Sequence, residues 1–345
     1  MSTYLFVVLI SVVLNFVLII PFINFLYKKK FQRVEQLTRD AFNKPTPIFD
    51  KFHRHKKGTP VGGGILLILT TVFIFFLFLV SFLLLDVPLN TNYPSAISEI
   101  KILLFTFLSF GFLGVYDDLN KIFLWEKSRF FGLRLRHKLI IEVFLALTIS
   151  YWLFAELKID IIHIPFIGVF NLSWFYILFA TFVILAFTNA VNVTDGLDGL
   201  APGILLFALI SFWAVAGSIL DAPTTLFIAA WLGGLIAFLY FNIYPARIFL
   251  GDTGALSFGA TLAVIGLILG KVFALLIIGG VFVIEIASSL IQLLSKKFLH
   301  KKAFSVAPFH LWLQYIGWEE PKIVMRLWII TIFFAIFGLM VAFGK

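Results

Sequence analysis

The sequence has no cysteine, and only 13% of its 345 residues are charged. The first absence excludes disulfides, thiolate nucleophiles and cysteine-ligated zinc. The second excludes an ordinary soluble domain, which carries about a quarter charged residues. The first apolar segment has no basic region before it and no small-residue cleavage site before Lys28-Lys29-Lys30, so it reads as a retained helix, not a signal peptide. Fixed-period repeats and long polar linkers are missing too, and residues 1–345 read as one membrane domain.

What the chain does have is 61% hydrophobic residues and a mean hydropathy of +1.05. Its apolar runs are near the length that crosses a bilayer. About ten spans follow from that length. They are Tyr4–Tyr27, Val61–Leu85, Ile102–Tyr116, Leu139–Phe154, Trp174–Val191, Leu200–Ile219, Thr225–Phe241, Ala255–Leu269, Phe273–Leu294 and Ile323–Phe343. The expected fold is therefore an all-α integral membrane protein. Between spans, Asp86 to Ser98 reads as a loop and Lys158 to Ser173 as a small hairpin.

Charge sets the expected orientation. The loops after odd-numbered spans hold 23 of the 27 Lys and Arg. Basic loops stay in the cytoplasm, which puts both termini outside. The net charge of +9 is then explained by topology and anionic lipid rather than by nucleic acid.

Three acidic clusters fall on that same basic face. Asp117-Asp118 follows the third span. Neighbours on a helix project about 100° apart, so the pair can serve one point only where a helix ends. Alone it reads as a solvated helix end, or as oxygen ligands for a hard cation such as Mg²⁺, beside Lys121. Asp195 and Asp198 stand three apart at an expected helix start, with Gly196 and Gly199 between and after them and Asn189 and Asn192 before them. Asp195 could be an ordinary N-cap, but capping does not call for both glycines. Asp252 lies between Gly251 and Gly254 ahead of a span, where helix N–H groups suit phosphate. Phe249 suits packing or stacking on a base, and Asn242 closes the preceding span.

Two basic stretches flank these clusters. One runs from His53 through Arg54, His55, Lys56 and Lys57 into Gly58-Thr59-Pro60-Val61-Gly62-Gly63-Gly64. The other is Arg134, Arg136, His137 and Lys138, a rim suited to a lipid phosphate. His310 follows Ala307-Pro308-Phe309 in a late loop. Glu142 and Glu285 lie inside spans, where an acid calls for a partner that the sequence does not name.

Four stretches in this order resemble the polyprenyl-phosphate N-acetylhexosamine-1-phosphate transferases: Lys57 to Pro60, Asn189 to Ala201, Asn242 to Gly254, and Gly317 to Lys322 leading to Trp328. The first and last point to the phospho-N-acetylmuramoyl-pentapeptide transferase branch. The resemblance implies an Mg²⁺-dependent enzyme of the bacterial plasma membrane. Its substrates would be UDP-MurNAc-pentapeptide and undecaprenyl phosphate, its products lipid I and UMP, and its assembly a homodimer. It implies a metal on Asp252, a catalytic pair in Asp117 and Asp118, and uridine near Asp198, Lys56 and Phe249. Asn189, Asn192 and Asp195 match the family's polar helix end and acidic loop. His310 matches the first of a run of three His, here followed by Leu311 and Trp312. Whether an Asp first attacks the donor or only deprotonates the lipid phosphate stays open. The rival readings are a sister transferase with another UDP-N-acetylhexosamine, and a transporter, whose acids would lie nearer the bilayer midplane.

Overall fold

The structure is a computed structural model that describes residues 2–32, 56–123 and 135–344. His53, Arg54, His55 and Arg134 lie outside the described residues. Twelve α-helices, a π-helical turn at Ser295–Leu299 and one hairpin are the regular elements of the described residues. The helices and strands are α1 (Ser2–Lys28), α2 (Gly63–Leu84), α3 (Ala96–Phe123), α4 (Leu135–Ala155), β1 (Ile161–Ile164), β2 (Gly168–Asn171), α5 (Phe175–Thr194), α6 (Leu200–Ser218), α7 (Ala222–Asn242), α8 (Gly251–Ile268), α9 (Val272–Ile278), α10 (Gly280–Leu294), α11 (Phe309–Tyr315) and α12 (Glu320–Phe343). Nine of these helices are long and apolar enough to cross a membrane. The hairpin expected between Lys158 and Ser173 is present, with Ile161 opposite Asn171.

The bundle is built around α8, which is buried along its whole length. Lipid offers no hydrophobic drive for helix pairing, so contact depends on close packing. Small residues provide it. At Gly64 a side chain would meet the Gly254 backbone nitrogen at 2.2 Å, and α2 crosses α8 there. Ser257 of α8 donates to the Phe107 carbonyl of α3 at 2.6 Å. The three Gly of Gly62-Gly63-Gly64 are thus used in backbone packing. The N–H groups of Gly62 and Gly63 bond the Phe249 carbonyl at 3.2 and 2.9 Å. Around this centre α7 packs on α1, α2 and α6, and α12 on α6 and α9. On α1, Ser11 donates to the Ala230 carbonyl and Asn15 accepts from Thr70, at 2.6 and 2.9 Å. Exposed apolar side chains such as Leu9, Val17, Phe333 and Phe337 belong to the outer helix faces that meet lipid.

Three expectations need correction. The ninth span is not one straight helix: α9 and α10 meet at Gly279 with a bend of 80°. The third span does not end at Tyr116; α3 runs on to Phe123, so Asp117 and Asp118 lie within its last turns. Lys121, one turn after Asp117, pairs with it at 3.1 Å and supports that extension. Asp195 does not cap the next helix. It ends α5, its N–H bonded to the Val191 carbonyl at 3.1 Å, and Gly199 stands before α6 with φ +78°. Asp195 and Asp198 therefore do not share a helix face.

Candidate active site

The ends of α3, α4 and α8 bring four charged side chains together. Lys121 Nζ lies 3.1 Å from Asp117 Oδ2 and 2.7 Å from Asp252 Oδ2. Lys138 Nζ lies 3.2 and 2.9 Å from the same two oxygens. Two carboxylates against two ammonium groups sum to no net charge, which makes joint burial tolerable. Each Oδ2 is thus held from two sides.

Asp118 is engaged differently. Its oxygens accept the N–H groups of Asp252 and Thr253, at 3.1 and 3.0 Å, and the Thr253 hydroxyl at 2.8 Å. Asp118 therefore supplies acceptors to the first turn of α8, which has no side-chain cap of its own. Gly251 makes this approach possible. It has φ +79°, and a side chain there would meet Asp118 Oδ2 at 2.7 Å. The two neighbouring acids point apart, as their helical offset requires.

A second cluster centres on Lys56. Its Nζ lies 2.7 Å from Asp198 Oδ1, 2.6 Å from Glu320 Oε1 and 3.1 Å from the Gly196 carbonyl oxygen. Glu320 Oε1 also accepts the Asp198 N–H at 2.6 Å, and Asp198 Oδ2 accepts the Ala246 N–H at 3.0 Å. Asn242 ties the same loops: it accepts from the Gly199 N–H at 3.1 Å and donates to the Ile248 carbonyl at 2.8 Å. Phe249 is half-exposed, with Lys56 Nζ 6.0 Å from its ring centre. An open aromatic face beside a buried ammonium suits a flat, polar ring. Glu320 was missed as a site residue; its only signal was its place in Gly317 to Lys322.

The third group joins α5, α10 and α11. His310 is buried, and its Nδ1 lies 2.9 Å from Glu285 Oε2. Its ring faces Gly196 of the acidic loop. Asn189 donates to Glu142 at 2.9 Å, which gives that acid its partner, and Glu142 is close enough to Lys138 and Asp252 to feel their charge. Asn192 and Asp195 are half-buried in the last turn of α5 and at its end. The three groups are continuous: Lys56 touches Gly196, Gly196 abuts His310, and Phe249 leads through Gly251 to Asp252.

The donor set can be tested against a metal. Among the described residues no three His, Asp or Glu side chains converge to hold one. Asp117 and Asp252 do bring one carboxylate oxygen each to the same two lysines. Mg²⁺ commonly binds through one or two carboxylates and takes its other ligands from water and phosphate. The residues fit that ion, and they do not fit a site built from protein ligands alone.

A helical bundle with an ionic cluster at the ends of its central helices defines a multi-pass membrane protein. The family described as glycosyl transferase family 4 matches residues 100–270. The phospho-N-acetylmuramoyl-pentapeptide-transferase of Acetivibrio thermocellus is 38% identical, over 84% of this chain and 83% of its own length. Those of Oceanobacillus iheyensis and Borreliella afzelii are 35% and 38% identical, over 85% and 82% of this chain and 86% and 82% of theirs. The chain belongs to the phospho-N-acetylmuramoyl-pentapeptide-transferase family.

Proposed function

We propose that this chain transfers phospho-MurNAc-pentapeptide from its UDP carrier to undecaprenyl phosphate, giving lipid I and UMP at the cytoplasmic face of a bacterial plasma membrane. The observation that carries the reading is the identity of 35–38% to relatives of that name over most of both chains. The homodimer implied by the resemblance belongs to the same reading.

In this mechanism an oxygen of undecaprenyl phosphate attacks the sugar-linked phosphorus. The bond from that phosphorus to the bridging oxygen breaks, and UMP leaves. Such a transfer depends on alignment and on spreading negative charge. Lys121 and Lys138 supply two positive groups for the diphosphate. Asp117 takes the proton of the acceptor phosphate, because Asp118 is engaged by the N-terminus of α8. Asp252 would hold Mg²⁺, which when bound would offset the repulsion between carboxylates and phosphates. Phe249 stacks on the uracil, and Lys56 and Asp198 bond its polar edge. Asn189, Asn192, Asp195 and His310 line the sugar-phosphate side, with Asn242 holding the loops in register. The sister-transferase reading is favoured only by Leu311 and Trp312 standing where the family has His.

The test is UMP release by the purified protein in detergent with undecaprenyl phosphate and Mg²⁺. Two donors run side by side, UDP-MurNAc-pentapeptide and UDP-N-acetylglucosamine. Turnover of the first alone is expected, and its loss on chelation and return with added Mg²⁺. Turnover of the second alone would move the chain to a sister specificity.

A further inference from the structure

We propose that Glu285 is a positioning residue that fixes the ring of His310 in one tautomer and aims Nε2 into the acidic loop. The proposal rests on the transferase reading for its kinetic consequence, though not for its geometry. Glu285 lies on α10, just past the 80° bend at Gly279. It is fully buried, and it meets His310 three times. The His310 backbone N–H donates to its two oxygens at 3.1 and 3.3 Å, and Nδ1 lies 2.9 Å from Oε2. A carboxylate only accepts, so Nδ1 carries the proton.

The consequence falls on Nε2. It is buried and bonded to no protein atom among the described residues. It points at Gly196, where a side-chain Cβ would approach it to 2.6 Å. That places the bare nitrogen against the loop that also holds Lys56 and Asp198. With Nδ1–H given to a carboxylate, Nε2 accepts a proton or a hydrogen bond, and the carboxylate stabilises the charge that results. A side chain in this role does not touch substrate. It acts through the ring it holds. The bend at Gly279 matters here, because it sets the direction in which α10 presents Glu285 to His310 at the start of α11.

Two measurements on the full-length protein in detergent test this. The first needs no turnover: nitrogen NMR of histidine-labelled protein, with the His310 signal assigned by its loss in His310→Gln. Nδ1 is expected to carry the proton in wild type, and Glu285→Leu is expected to abolish that preference. A wild-type ring protonated on Nε2 alone would overturn the proposal, whatever the protein's activity. The second is kinetic, with UDP-MurNAc-pentapeptide as donor. Glu285→Gln should lower kcat about tenfold with KM within about twofold, the pattern of an interaction made in the transition state. In a His310→Ala background the same substitution should leave kcat unchanged, since the pair acts as one unit. Glu285→Asp should recover part of the loss. Wild-type kcat in Glu285→Gln, or an equal loss in the His310→Ala background, would also overturn it. An inert wild type with the expected NMR signature would instead count against the donor assignment and for the positioning.

Discussion

Helix α3 carries a buried acid near each end, and the two ends differ in what surrounds them. Near its start, Glu99 is grouped with Asp221, the residue that precedes α7. Hydroxyls serve this pair: Thr91 and Thr224 each donate to Glu99 at 2.6 Å, and the Thr224 N–H bonds Asp221 at 3.0 Å. Near its other end, about 27 Å away at 1.5 Å per residue, Asp117 is grouped with Asp252 between two ammonium groups. Hydroxyls and a backbone N–H serve these acids locally, with no cation for a ligand to claim. Lysines give the site positive groups that a phosphate can claim. Burial of carboxyls alone does not separate the candidate active end from the other; their partners do.

The largest effect expected is at the lysine-lined end. Asp252→Ala should abolish UMP release and lower the melting temperature, since Lys121 and Lys138 lose a buried counter-charge, and Asp117→Asn should cut kcat at least about a hundredfold with a smaller change in KM. Near-normal turnover in either would erase the distinction between the two ends. Next come the residues assigned to the nucleotide. Glu320→Gln removes a charge from Lys56 and should raise KM for the UDP-sugar about tenfold, and Phe249→Ala should do so severalfold, both with kcat nearly kept. Titrating donor concentration in each variant checks this; a fall in kcat without a KM change would put Glu320 and Phe249 with the reacting groups. Smaller still is Trp312→His. Trp312 stacks on Phe309 with ring centres 5.8 Å apart, so it packs the loop, and turnover should stay within about a few-fold.

The smallest effect on turnover is expected from Asp221→Asn, at the hydroxyl-lined end. Burial, the dominant cause, raises the Asp221 carboxyl above the ordinary aspartate range. A group raised on folding stabilises the protein fully below its unfolded value. That stability is lost as pH climbs from the usual aspartate range through the raised folded value. Wild-type melting temperature should therefore fall over that window, and Asp221→Asn should flatten the fall while leaving UMP release unchanged. A steeper pH dependence in the variant, or lost turnover, would break the comparison.

Much of the candidate site was legible in local pattern. Asp252, Asp198, Lys56 and Phe249 lie in short stretches whose glycines and helix ends carry a signal within a few residues. Glu320 and Glu285 were not legible as partners. Glu320 meets Lys56 across 264 positions, and Glu285 meets His310 across 25. No periodicity encodes such pairings. The helical pattern also misled at Asp117-Asp118, where charge was taken for a helix end. In fact the pairing of Asp117 with Lys121, one turn on, sustains the helix.

The sequence by itself determined the class of fold and the approximate spans, because a bilayer of fixed thickness reads hydropathy over a window of about twenty residues, which is a local property. It also determined which residue types lie where helices leave the lipid. Only the tertiary structure decided which of two adjacent acids serves the helix and which faces the lysines, since that depends on where α8 begins relative to α3. Only it showed that the ninth apolar run is bent, because hydropathy sums side chains and carries no direction. And only it gave Glu142, Glu285 and Glu320 their partners, because a buried charge is satisfied through space, by whichever helix packing brings near.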